Sequence, residues 1–231
     1  MTPRSHSQAG RLRGLYVILD PAASDDASIA HGERGIMNIA REAIAGGARL
    51  FQYRDKMREK GEQFAIANAL QKLCRETGAL FFMNDHAEMA LAIEADGLHV
   101  GQRDLHVAAV RRIVPATMLV GASTNNVDEA LAAEADGADY VSVGRLFPTG
   151  SKADTRPATL ETLRAVKAAV SVPVCGIGGI NESNIDDVIA AGADMAAVIS
   201  AVVAAEDVRE AVQALGARFR EGSTHPTCRL S

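Results

Sequence analysis

Eight times between Leu15 and Ile199, a short aliphatic or β-branched run gives way to an alanine-rich amphipathic segment. Strands that alternate with helices pair in parallel, and runs apolar at every position are buried on both faces. The strand candidates are Leu15–Leu19, Arg49–Tyr53, Leu80–Met83, Gly97–Val100, Met118–Gly121, Tyr140–Val143, Val172–Gly176 and Met195–Ile199. The intervening helices are expected at Ile36–Ala45, Glu62–Thr77, Ala87–Ile93, Val107–Ile113, Val127–Ala135, Leu160–Ala169, Asn184–Ala190 and Asp207–Phe219. Several stop at glycine, as helices that end in a left-handed residue do. Eight such units in 231 residues predict an α/β protein, a single (β/α)8 TIM barrel. One catalytic domain is expected over 14–220, with flexible tails at 1–13 and 221–231.

The charge balance narrows the partners. Twenty-four basic against 29 acidic residues give a net −5 with no long single-sign run, so neither a nucleic-acid nor a membrane surface is expected. An anionic ligand must then be met by a local site. Cys74, Cys175 and Cys228 share no metal-binding spacing, and isolated thiols fit a reducing compartment. No apolar run is long enough for a membrane span or signal segment, so a soluble, cytoplasmic protein is expected. A homo-oligomer is compatible with this composition.

Ala95-Asp-Gly-Leu-His-Val, Gly137-Ala-Asp-Tyr-Val-Ser-Val and Gly192-Ala-Asp-Met-Ala-Ala-Val recur just before strands. They read as helix stops followed by a turn-forming aspartate at the bottom of the barrel, where residues serve stability. Chemistry belongs instead at the C-terminal strand ends. Those ends carry Gln52-Tyr-Arg-Asp-Lys56, Asn84-Asp85, Gly101-Gln-Arg-Asp104, Ser123, Phe147-Pro-Thr-Gly-Ser-Lys152, Gly178-Gly179 and Ile199-Ser200.

Each has a chemical and a plainer reading. Val172 to Ile180 ends an apolar run in Gly178-Gly179 before a helix, which is either a phosphate cup of bare amides or an ordinary tight turn. Gln52, Arg54 and Lys56 alternate along an extended segment and would aim together at an oligophosphate, unless they form a solvated strand end paired with Asp55 and Glu59. Asp85 and Asp104 could share a hard divalent cation, or cap local turns. Lys152 could neutralise phosphate charge while Thr149 and Ser151 donate hydroxyl hydrogen bonds. His99, inside a strand, reads more readily as a satisfied core residue than as a base, and Cys175 as a small buried apolar group.

Taken in order, Gln52-Tyr-Arg-Asp-Lys56, Asn84-Asp85, Gly97-Leu-His-Val-Gly-Gln-Arg-Asp104, Gly121-Ala-Ser123, Phe147-Pro-Thr-Gly-Ser-Lys152, Gly176-Ile-Gly-Gly-Ile180 and Val198-Ile-Ser200 closely resemble the thiamine phosphate synthase family. The resemblance spans roughly residues 15 to 215. It implies a barrel enzyme that joins a hydroxymethylpyrimidine diphosphate to a thiazole phosphate, releasing pyrophosphate with Mg²⁺. It further implies that Gln52, Tyr53, Arg54, Asp55, Lys56, Asn84, Ser123 and Lys152 bind the pyrimidine diphosphate, with Arg54, Lys56, Lys152 and Ser123 catalytic. Asp85 and Asp104 become the metal ligands. Thr149, Gly150, Ser151, Gly179, Ile199 and Ser200 fall to the thiazole phosphate.

Three positions depart from the family pattern. Ser151 stands for a threonine, Arg145 for a proline and Arg103 for a residue that is commonly acidic, while 21–35 is long for a first loop. Two other readings share the phosphate cup: a related thiazole tautomerase, and a non-catalytic thiazole-phosphate-binding protein. The combined Gln52-x-Arg-x-Lys56, Asp85, Asp104 and Lys152 argue against the tautomerase, which would use a base rather than a metal.

Overall fold

The computed structural model describes residues 10–23, 35–149 and 156–222. Eight strands, β1 (Gly14–Leu19), β2 (Leu50–Tyr53), β3 (Leu80–Asn84), β4 (Gly97–Val100), β5 (Leu119–Thr124), β6 (Tyr140–Val143), β7 (Val174–Ile177) and β8 (Met195–Val198), close in sequence order into a parallel barrel. The described helices are α1 (Ile36–Ala45), α2 (Lys60–Thr77), α3 (Ala87–Ala92), α4 (Val107–Val110), α5 (Val127–Ala135), α6 (Leu160–Ala169), α7 (Ile185–Ala190), α8 (Ser200–Val203) and α9 (Val208–Gly222). None is long and apolar enough to cross a membrane. The flanking tails expected from sequence fall largely outside the described residues.

Alternation along each strand sorts the core into two layers. Leu15, Val17, Phe51, Phe81, Leu98 and Val141 face the helices. Tyr16, Ile18, Leu50, Leu80, Phe82, Leu119, Tyr140, Cys175 and Met195 fill the barrel. Tyr16, Phe82 and Tyr140 meet edge to face with centroids 5.6 to 6.1 Å apart, forming an aromatic plug. Two glycines leave room for it: a Cβ on Gly97 would lie 2.1 Å from the Phe82 ring, and one on Gly121 would lie 2.0 Å from Tyr140.

The recurring aspartates are structural. Asp96, Asp139 and Asp194 accept the backbone N–H of Phe81, Val120 and Val174 at 3.0, 2.7 and 2.7 Å, which pins the lower ends of neighbouring strands. Gly137 and Gly192 precede two of them at φ +100° and +92°.

Element ends differ from the sequence reading for identifiable reasons. β5 runs on to Thr124 because Ala122, Ser123 and Thr124 pair with Val141, Ser142 and Val143, so Ser123 sits within the strand. β7 begins after Pro173, which has no N–H to donate. α4 ends at Val110, short of Ile113, because the Arg112 and Ile113 N–H groups bond three residues back, to the Ala109 and Val110 carbonyls, in a tighter turn than an α-helix. α8, a single turn after β8, was not expected.

Candidate active site

The upper ends of the strands surround a cavity of about 640 Å³. Arg54, Lys56, Asn84, Asp85, Asp104 and Ser123 line one side, and Thr149, Gly178, Gly179, Ile199 and Ser200 the other. Gly150, Ser151 and Lys152 lie outside the described residues. All other polar strand-end residues singled out from sequence reach this mouth except Gln52, Tyr53 and Asp55, which alternation carries elsewhere.

Gln52 points into the barrel, where it is buried and its Nε2 donates to the Tyr16 hydroxyl at 2.8 Å. Tyr53 turns to the helix side, so its side chain and that of Asp55 are absent from the cavity lining. Asp55 is almost wholly buried and accepts from the Tyr53 hydroxyl (2.8 Å), the Met57 N–H (2.8 Å), the Arg58 N–H (3.1 Å) and the Arg58 guanidinium (2.6 Å). Burial alone would raise its carboxyl, but these donors outweigh burial and hold it below the usual carboxylate range. The Asp55 side chain thus folds the loop that carries Lys56. The expected alignment of Gln52, Arg54 and Lys56 is therefore only partly realised: Arg54 and Lys56 reach the mouth, and Gln52 lies beneath it.

Lys56 Nζ bridges to Asp85 Oδ2 at 2.6 Å. Asp85 stands at φ +61°, a left-handed conformation aspartate tolerates better than most residues, and its N–H bonds to the His99 carbonyl at 2.9 Å. The Asp85 and Asp104 carboxyl groups are close enough for each to bias the other's protonation. Burial works to raise Asp85, but the Lys56 ammonium and the neighbouring Asp104 carboxyl bring it below its ordinary value. Asp104 moves the opposite way, raised by burial and then by the neighbouring Asp85 carboxylate. Two carboxyl groups brought together at the ends of β3 and β4 favour a cation between them. Among the described residues no cluster of three or more His, Cys, Asp or Glu is placed to hold a metal ion. An oxygen-only pair of carboxylates fits a hard cation that completes its shell with ligand and water oxygens.

On the far side, Gly178 and Gly179 adopt φ +102° and +66°. Their Cβ directions are filled by the preceding loop: added methyls would lie 2.8 Å from Arg145 Cα and 2.6 Å from the Pro148 carbonyl. Leu146 and Phe147 donate backbone N–H bonds to Ile177 and Gly178 at 3.0 Å each. Glycine is thus required here by close approach of the protein's own loop. The helix that follows, expected from Asn184, begins at Ile185. An asparagine turn intervenes, in which Asn184 and Asn181 side chains donate to the Gly179 carbonyl at 3.0 and 3.3 Å.

Sequence reasoning passed over several groups. Asp20 follows β1, is 1% exposed, and pairs with Arg54 while accepting the Ala22 N–H at 3.0 Å. Its place at a strand's C-terminal end was the available signal. Asp20→Asn is expected to keep the turn but release the Arg54 guanidinium, costing about 1–2 kcal/mol of stability and lowering turnover. Thermal unfolding and steady-state kinetics check both. Asn125 and Arg156 also line the cavity, with Asn125 Nδ2 donating to the Arg156 carbonyl at 2.8 Å. His99 matches the satisfied-core reading, since both ring nitrogens meet hydroxyls, yet it also borders the cavity.

A family model described as thiamine monophosphate synthase matches residues 15–202. The thiamine-phosphate synthase of Methanospirillum hungatei is 44% identical over 199 residues, covering 86% of this chain and 93% of its own. That of Moorella thermoacetica is 48% identical over 185 residues, covering 80% and 88%. Among solved structures, a thiamine phosphate pyrophosphorylase from Pyrococcus furiosus superposes with a TM-score of 0.81 at 39% identity, covering 91% of this chain and 97% of that one.

Proposed function

Because the chain belongs to the thiamine monophosphate synthase family, transferases of thiamine biosynthesis, we propose the following division of its barrel mouth. The Arg54, Lys56, Asn84 and Ser123 side takes 4-amino-2-methyl-5-hydroxymethylpyrimidine diphosphate, to which the family resemblance also assigns Lys152, outside the described residues. The side formed by Thr149, Gly179, Ile199 and Ser200 takes the phosphate of 4-methyl-5-(2-phosphoethyl)thiazole, to which the family resemblance also assigns Gly150 and Ser151, outside the described residues. The observation that carries this division is the placement of the Asp85–Asp104 pair and two cations opposite the Gly178-Gly179 turn across one cavity.

In the reaction, the carbon–oxygen bond at the pyrimidine methylene breaks and its electron pair leaves with pyrophosphate. The amino-substituted ring delocalises the resulting positive charge, and the thiazole nitrogen lone pair closes on the methylene carbon to give thiamine monophosphate. No protein nucleophile is needed. Arg54 and Lys56 meet the charge that develops on the departing diphosphate, and the two sides of the mouth hold carbon and nitrogen in line. Each such preorganised group contributes about 3 kcal/mol, a hundredfold or more in rate. Asp85 and Asp104 would hold Mg²⁺, which when bound supplies Lewis-acid charge neutralisation to the leaving group.

Mixing the two substrates with Mg²⁺ and measuring pyrophosphate tests this reading. Pyrophosphate and thiamine monophosphate are expected in equal amounts, and only when both substrates are present. A tautomerase or a binding protein releases none, so its absence would sink the proposal.

A further inference from the structure

An unbroken series of hydrogen bonds crosses the barrel interior. Gln52 Nε2 donates to Tyr16 Oη at 2.8 Å, and Tyr16 Oη lies 3.1 Å from Tyr140 Oη. Tyr140 Oη lies 2.8 Å from His99 Nδ1, and His99 Nε2 lies 2.9 Å from Ser123 Oγ. The His99 and Tyr140 rings stack, with centroids 5.6 Å apart. Ser123 and His99 border the cavity, whereas Tyr16, Tyr140 and Gln52 do not.

Every member has a limited number of protons, so one end fixes the rest. An amide NH₂ can only donate. Tyr16, having accepted from it, directs its single proton to Tyr140; Tyr140 in turn directs its own to His99 Nδ1. Burial pushes both phenols up, so both keep that proton. His99 then carries its proton on Nε2 and donates it to Ser123, whose own hydroxyl proton is left for the cavity. Reversing the Gln52 amide would reverse every donor, and Ser123 would present only lone pairs to the mouth. A mouth built around Arg54 and Lys56 for an anionic ligand is served by the first direction.

We propose that the Gln52–Tyr16–Tyr140–His99 series is a positioning device that holds His99 as the Nε2–H tautomer and thereby makes Ser123 a hydrogen-bond donor to the bound substrate. The role of the Ser123 donor rests on the substrate assignment above, whereas the tautomer follows from the Gln52 Nε2 donation to Tyr16 and is read without substrate. Tyr16, Tyr140 and His99 act through Ser123 and need not touch the ligand.

Tyr16→Phe tests this directly, because it changes neither His99 nor the cavity wall. Long-range proton–nitrogen correlation spectra of the full chain, labelled with ¹⁵N-histidine, report which ring nitrogen is protonated without any substrate. Expected are a neutral Nε2–H His99 in the wild type and a mixture of tautomers in Tyr16→Phe. Turnover in that variant should fall about three- to tenfold, the scale of one hydrogen bond, with little change in KM for the thiazole phosphate. Tyr140→Phe serves in its place if the first variant does not fold. An Nδ1–H tautomer in the wild type, or a tautomer unmoved by the substitution, overturns the positioning role. A redistributed tautomer with unchanged turnover overturns its link to catalysis while leaving the substrate assignment standing.

Discussion

Replacing Asp104 by asparagine is expected to lower thiamine monophosphate formation by at least a hundredfold while leaving the barrel as stable as before, or more so. The carboxyl of Asp104 is raised by burial and by the adjacent Asp85 charge, so the folded chain binds a proton there more readily than the unfolded one. Stability from this group therefore falls as pH rises from the ordinary aspartate value through the folded one. Asparagine removes that fall, and its advantage should vanish in acid, where both carboxyls are protonated. Activity moves the other way because one of two oxygen ligands for the divalent cation is lost. Asp85→Asn should be equally inactive, but it also breaks the 2.6 Å bridge to Lys56 and should not gain stability. The double variant should lose little more than either single one, since the residues act as a unit. Pyrophosphate release at saturating Mg²⁺ and thermal unfolding in metal-free buffer measure the two quantities. Full activity in both single variants would remove the carboxylate pair from the mechanism.

Gly179→Ala is the second large effect, and it should act on the other substrate. At φ +66° any side chain costs roughly 1–2 kcal/mol. The new methyl would also meet the Pro148 and Phe147 carbonyls at 2.6 and 2.9 Å, where backbone rather than a flexible side chain must give way. A total destabilisation of about 2–4 kcal/mol is expected. At roughly 2–4 °C per kcal/mol for a chain of this size, the unfolding midpoint should drop by about 4–16 °C. Displacing the 145–148 loop opens the far side of the cavity. KM for the thiazole phosphate should rise at least about tenfold, with a much smaller change for the pyrimidine diphosphate. The reverse pattern would exchange the two subsites. Gly61→Ala is the control: it lies in α2 with nothing near its missing methyl, so stability should hold or improve slightly.

The carboxylate pair was legible because the strand-end rule needs only periodicity. Once Leu80 and Gly97 are read as starting strands, Asp85 and Asp104 must follow their upper ends. Asp20 obeys the same rule after Leu19 and was passed over only because it sits in no recognisable motif. Tyr53 and Asp55 were harder. Their place in the Gln52-Tyr-Arg-Asp-Lys56 motif linked them to substrate, but strand alternation turns Tyr53 outward, where Asp55 follows to accept its hydroxyl. The glycine turn carried two readings, a phosphate cup and a tight turn, and the Phe147-Pro148 loop, which fills the space a Cβ on Gly179 would need, bears out the second without touching the first.

Local pattern determined the fold of this chain, because period-two and period-3.6 burial, glycine stops and strand-entry aspartates are each set within a few residues. Those same rules sent Arg54, Lys56, Asp85 and Asp104 to one rim. Only the closed barrel decided which side chains meet across it. Gln52, Tyr16, Tyr140 and His99 come from four strands as far apart as 124 residues, and their hydrogen bonds depend on register and ring orientation that no local spacing encodes. The direction of those bonds is a property of the assembled interior, where each buried donor must find an acceptor and the last proton is left facing the cavity.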